Sequence, residues 1–315
     1  MKQNNMIGEF KTIFDLQKAF PTEQDCINHL ESILWVDGAV SPFDANSKVY
    51  KCTGGKYKCK NTGKYFNVKV GSIFEDTKIP LIKWFMTLFI FSSHKKGISS
   101  HQLARDIGVT QKSAWFMLHR LRYAFDHPTF QEILGLAPVE IDETYVGGKE
   151  KNKHFHKRNQ QTGMNDKAPI LAILERDAHV ITKTLPIGES NKKTIRPIIN
   201  EIVNEDSLIV TDGFGAYTTL SDDFAAHFVV NHDAGQYVTS GDIHTNTVEG
   251  FFSHLKRGIY GIYHHVSPKH LQKYSNEFAL RYNTRKQTTN QRFNLILNNI
   301  TMRVRYQDLI QKNGK

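Results

Sequence analysis

Val139-Glu-Ile-Asp-Glu-Thr144 alternates apolar and polar side chains over its first four residues. That alternation predicts a β-strand over 138–146, with Val139 and Ile141 on its core face and Asp142 on the other. Farther along, Leu208-Ile-Val-Thr-Asp-Gly213 is an apolar run closed by Asp-Gly. It predicts a buried strand over 207–212 that delivers Asp212 at its C-terminal end. His244-Thr-Asn-Thr-Val-Glu-Gly250 reads as the start of a helix that carries Glu249.

The sequence between these stretches supplies the rest of a domain. A second strand is expected over Ala168–Arg176, the turn Asp177-Ala178 follows, and a third strand over Val180–Ile187. Ser190 is placed to cap a helix running to about Asn204, and Phe228–Asn231 reads as a short fifth strand. Three hairpin-linked strands, then alternating helix and strand, is the order of a ribonuclease-H-like fold: an α/β domain, here 138–288, with a mixed sheet flanked by helices.

Carboxylates on two strand ends and a helix are positioned to meet at one site. Asp and Glu suit a hard cation such as Mg²⁺, which keeps waters and substrate phosphates in its shell and so needs few protein ligands. Two Mg²⁺ ions about 3.5–4 Å apart, with Mn²⁺ as a substitute, would activate an attacking oxygen and stabilise a leaving one in phosphodiester chemistry. Each acid also has a plainer reading. Asp-Gly after an apolar run is a common turn. Asp142 has the place of a solvent-face acid, as its neighbour Glu143 does, and Glu249 of a first-turn acid that complements a helix dipole. Lys256, seven residues after Glu249 and on the same helical face, has the position to hold a phosphate near the metals, with Arg257 beside it.

The composition agrees with a polyanionic partner. The 315 residues carry a net charge of +10, and the pI is about 9.3. The three cysteines, Cys26, Cys52 and Cys59, form no paired framework and suit a reducing cytoplasm; a cytoplasmic, nucleoid-associated protein is expected. The N-terminal residues do not read as a signal peptide, and the most apolar stretch, Trp84–Phe91, is too short to span a bilayer, so neither a leader nor a membrane partner is expected.

Upstream, residues 1–40 read as a helical lead-in. Residues 41–78 read as a small β module: Tyr50–Cys59 and Lys64–Val70 look like short strands joined through a Gly-Gly turn. From Ala45 to Phe74 there are seven lysines and no acid, interleaved with aromatics, which favours phosphate contact as well as a solvated sheet edge. Residues 79–130 follow a helix-turn-helix pattern. Ser99–Gly108 is a short helix ended by Gly, Val109-Thr110 the turn, and Gln111–Phe125 a longer helix. Gln111, Lys112 and Ser113 would then stand where base edges are read. The same pattern also describes an ordinary helical hairpin. The loop 147–158 sets five cations, Lys149, Lys151 and Lys153 among them, against Glu150 and is expected at phosphate or free in solvent. Ser267–Thr284 reads as a helix with Leu271, Tyr274, Phe278 and Tyr282 as its core stripe, and 289–315 as a C-terminal tail.

Ile141-Asp-Glu-Thr-Tyr-Val-Gly-Gly-Lys149, Thr211-Asp-Gly-Phe-Gly-Ala-Tyr217 and the run from His244 to Gly258 resemble the blocks of bacterial insertion-sequence transposases, in particular the IS-fifteen-ninety-five (ISXO-two-like) group. Gly71–Leu81, Lys95-Lys-Gly97 and Trp115–Arg120 are similar to its N-terminal half. The resemblance implies that Asp142, Asp212 and Glu249 are the DDE metal ligands, with Lys256 as the trailing basic residue. It implies binding of duplex DNA at the element's inverted repeats, nicking there, joining of the 3′ ends to target DNA, and a homodimer or larger assembly on DNA. A transposase-derived regulator without catalysis, and a nuclease that cuts without joining, are the alternatives. The chain departs from the group in its ribbon, which usually carries two Cys-x-x-Cys pairs. Ser41-Pro-Phe-Asp44 and Cys59-Lys-Asn-Thr62 stand in their places, so zinc is not expected and aromatic residues are expected to hold the ribbon.

Overall fold

The computed structural model describes residues 9–125, 134–135, 137–148, 167–230 and 243–310. The chain divides into two compact units, 1–124 with 287–315, and 125–286.

In the first unit, α1 (Ile13–Ala19) and α2 (Glu23–Leu34) each open on a capping box, Thr12 with Asp15 and Thr22 with Asp25. β1 (Val49–Lys51), β2 (Tyr57–Cys59) and β3 (Tyr65–Phe66) form an antiparallel sheet in that order. Its apolar side is aromatic: Trp35 meets Tyr57 and Phe66 edge-on at 5.0 and 5.9 Å. Cys59 is buried beside them. Burial would push its thiol up, but hydrogen bonds from Ser41, Ser47 and Thr62 outweigh that and bring it down to about 6. The third strand is shorter than the sequence reading, because Asn67 turns the chain by accepting the Lys69 N–H on its side chain at 3.0 Å.

α3 (Leu81–Ser93) follows Pro80 and is apolar almost all round. Such a helix needs cover on every side. α1, α2 and a helix from the chain's far end supply much of it: α9 (Thr289–Leu297) lies against α3, and Phe293 packs on Phe10 and Phe85. α10 (Tyr306–Ile310) closes the unit beside α5 (Gln111–Ala124). The stretch read as a separate tail therefore belongs to the first unit. α4 (Ser100–Ile107) is capped by Ser99 and ends at Gly108, whose φ of 62° suits glycine; Thr110 then accepts the Ser113 N–H at 3.2 Å to start α5.

In the second unit, β4 (Val139–Val146), β5 (Ala168–Glu175), β6 (Val180–Thr184), β7 (Leu208–Asp212) and β8 (Ala226–Val230) form a mixed sheet in the order β6-β5-β4-β7-β8. β4, β5 and β6 are antiparallel neighbours, while β7 and β8 run parallel to β4 and to each other. Alternation sends each strand's side chains to two layers. Ile141, Leu171 and Ile173 pack with Ile195 and Ile199 of α6 (Lys192–Ile202). Ile170, Ala172 and Leu174 pack with Phe251 and Leu255 of α7 (Asn246–Gly258) and Phe278 of α8 (Pro268–Asn283). α7 continues into a π-helical turn over Ile259–Tyr263. A Cβ on Gly258 would lie 1.9 Å from the Phe278 ring, so α7 and α8 approach this closely only because Gly258 has no side chain.

Candidate active site

The parallel β4–β7 ladder pairs Val139 with Ile209 and Ile141 with Thr211. The next residues in that register are Asp142 and Asp212. Asp142 accepts the Glu143 N–H on Oδ1 at 2.7 Å. Asp212 accepts the Phe214 N–H on Oδ1 at 3.0 Å, so the Asp-Gly turn and the carboxylate's placement are one feature. α7 lies over the same sheet face. Its Val248, Phe251, Phe252 and Leu255 are buried, while Glu249, Ser253 and Lys256 are turned toward solvent or half-buried. Helical spacing brings Glu249, Ser253 and Lys256 to one side of α7, where they line a polar cavity of about 320 Å³ together with Phe252 and with Asp142, Glu143 and Thr144 of β4. Asp212 stands outside that lining and acts on it through its charge.

The electrostatics are those of crowded carboxylates. Burial first, then the charges of Asp212 and Glu143, push the Asp142 carboxyl up to about 7, with Glu249 adding a smaller share. Burial also raises Glu143 to about 7, against the Tyr217 hydroxyl, which donates to Glu143 Oε2 at 2.5 Å. Burial, then the negative charge of Glu143, holds the Tyr217 hydroxyl well above its usual range.

Among the described residues, no group of three or more His, Cys, Asp or Glu side chains stands close enough together to hold a metal ion. The donor chemistry still fits a hard divalent cation. Such an ion binds through one or two carboxylates plus waters and phosphates, and a positive charge here would offset the burial and the repulsion that raise Asp142.

The other residues singled out in sequence fall elsewhere. Gln111 is exposed at the start of α5 and donates to Ser100 Oγ at 2.8 Å; Lys112 is exposed and Ser113 half-buried. Arg257 is exposed, and its Nε donates to the carbonyl of Ser253 at 3.1 Å. Lys149, Lys151 and Lys153 lie outside the described residues. Two acids beside Asp142 gain a place that sequence reasoning had not given them. Glu143, read as a solvent-face acid, lines the cavity. Glu140 is wholly buried. The only signal of either in sequence is an acid on a strand, which usually means solvent.

A mixed sheet with helices on both faces and a carboxylate-lined cavity defines the class of domain, and sequence comparison supplies the family. Residues 133–283 match the family described as the ISXO2-like transposase domain. Over 282 residues, 84% of this chain and 92% of the relative, the sequence is 30% identical to an uncharacterised protein in transposable element ISH50 of Halobacterium salinarum. It is also 28% identical over 100 residues, 32% of this chain and 79% of the relative, to an uncharacterised transposase-like protein of Haemophilus influenzae. The chain belongs to the ISXO2-like transposase family. A crystal structure of a pre-cleavage Mos1 transpososome aligns over 90% of this chain and 94% of that one at 10% identity, with a TM-score of 0.20, too loose a match to carry a fold assignment. No helix among the described residues is long and apolar enough to cross a membrane.

Proposed function

We propose that the chain is a DDE transposase whose ribonuclease-H-like second unit nicks the ends of its own insertion sequence and joins the freed 3′ ends to target DNA. The observation that carries this reading is the β4–β7 register, which brings Asp142 and Asp212 level beneath the helix that bears Glu249. Asp142, Asp212 and Glu249 would hold two Mg²⁺ ions, whose chemistry when bound is to activate the attacking oxygen and to stabilise the leaving one. Lys256, across the cavity from Asp142, would hold a phosphate of the bound strand. Gln111, Lys112 and Ser113 at the exposed start of α5 would read the terminal repeats, as the second helix of a helix-turn-helix does. Arg257 would meet the DNA backbone beside the site, and Lys149, Lys151 and Lys153, which follow β4 in sequence, would do so as well. Paired cutting of two ends requires at least a dimer on DNA.

The test uses labelled duplexes from the two ends flanking the gene, with Mg²⁺ or with EDTA. The expected result is Mg²⁺-dependent nicking together with ends joined to a second DNA. Nicking without joining would make the protein a nuclease. Specific binding with neither product would make it a regulator.

A further inference from the structure

We infer that Glu140 is the residue that positions Glu249, by capping the helix that carries it from the neighbouring strand. Glu140 is wholly buried, and its carboxylate is met by donors from several segments. Oε2 accepts the backbone N–H groups of Thr247 and Val248, each at 2.9 Å. Oε1 accepts the Thr247 hydroxyl at 2.8 Å and Arg176 Nε at 2.6 Å, and His244 Nδ1 lies 3.3 Å away.

Thr247 and Val248 are the second and third residues of α7, whose N–H groups have no partner within the helix. A side chain just before the helix ordinarily takes them. Here Thr245 makes no such bond; its hydroxyl reaches Glu249 Oε1 instead, at 3.3 Å. Glu140 therefore supplies the cap, and its negative charge sits at the positive end of the helix dipole. Arg176, just past β5, also donates to the His244 carbonyl at 2.8 Å, which ties down the segment leading into α7.

The consequence for the site is geometric. Glu140 and Asp142 are two apart on β4 and share a face. One strand thus carries a proposed metal ligand and also the group that sets the height and rotation of the helix bearing another. Glu249 follows directly on Val248, the residue whose N–H Glu140 holds. Glu140 does not line the cavity, so its part is to position and not to react.

This inference rests on the reading of Asp142, Asp212 and Glu249 as metal ligands. It is tested on the full chain by Mn²⁺ binding, read from the electron paramagnetic resonance of free Mn²⁺, beside thermal unfolding. The wild type, Glu140→Gln, Thr247→Val and Asp142→Asn are compared. Glu140→Gln keeps an acceptor for the two N–H groups but loses the pairing with Arg176. The expected result is Mn²⁺ affinity weakened by about 10-fold or more, the range in which residues that orient ligands act, with cooperative unfolding retained. Thr247→Val should weaken Mn²⁺ binding in the same direction and by less. It decides the matter if Glu140→Gln does not fold. Unchanged Mn²⁺ affinity with only a lowered melting temperature would overturn the positioning role and leave the metal site standing. A wild type that binds no Mn²⁺, or binds it as well after Asp142→Asn, would overturn the reading of the site and this inference with it.

Discussion

Asp142 and Glu143 are adjacent on β4, yet strand alternation sends Asp142 to the α7 layer and Glu143 to Tyr217 on the α6 layer. Both carboxyls are raised to about 7 by burial and by neighbouring negative charge. A raised acid keeps its proton in the fold after the unfolded chain has released it, so stability falls as pH climbs from about 4 to 7. Between pH 5 and pH 8 the metal-free protein should lose on the order of 2 kcal/mol relative to Asp142→Asn. Urea unfolding at pH 5 and pH 8 measures the difference, and divalent cation should restore the loss at pH 8, because metal takes the deprotonated form. Lys256→Ala should weaken duplex binding and lower the slope of log affinity against log salt by about one; a salt titration of binding checks this. At this scale the sequence shows Asp142, Asp212 and Glu249 because each sits at the edge of a recognisable apolar pattern. Glu140 is hidden there. Its alternation is that of a solvent-facing acid, and only Arg176, 36 residues away, and the start of α7, 107 residues away, show that it is buried and bonded.

Elements were legible where pattern and cap agree. Pro80, Ser99, Gly108 and Thr110 mark the bounds of α3, α4 and α5, and each does so by a local hydrogen bond or backbone restriction that sequence displays. α6 begins a residue later than its first candidate cap suggests. Asn191, not Ser190, accepts the N–H groups of Lys193 and Thr194, and both residue types can cap. β6 stops at Thr184, where the expected strand ran to Ile187, because Pro186 has no N–H for the ladder. α7 starts at Asn246, so Glu249 lies a turn inside it. What sequence does not show is how near α8 comes. Gly258→Ala should cost about 1–3 kcal/mol, since its Cβ would fall 1.9 Å from the Phe278 ring and one of the helices must give way. Denaturant unfolding of the second unit reads that cost, and a neutral result would mean that the contact relaxes freely.

Over the whole molecule, the succession of strands and helices in the second unit was legible from the patterns, while membership of the first unit was not. The run after Lys286 reads as a polar and then helical tail, and the helix is there: Thr288 and Gln291 form a capping box and Phe293, Ile296 and Leu297 are buried. Only the apolar girth of α3 shows that something must cover it. A chain ending at Lys286 loses Phe293 from Phe10 and Phe85, the bond from Arg292 to the Ser92 carbonyl, and the Ile73–Ile300 bond. Its first unit should become the preferred site of limited proteolysis, with the second cut no faster than in the full chain. The central claim, that Asp142, Asp212 and Glu249 together hold the catalytic metals, is tested most directly by cleavage of labelled end DNA in Mg²⁺. Wild type is compared with Asp142→Asn, Asp212→Asn and Glu249→Gln, alongside binding of the same DNA. Each variant should bind the DNA about as well as the wild type and cleave it at least ~100-fold more slowly. Any one of them cutting at the wild-type rate would contradict the account.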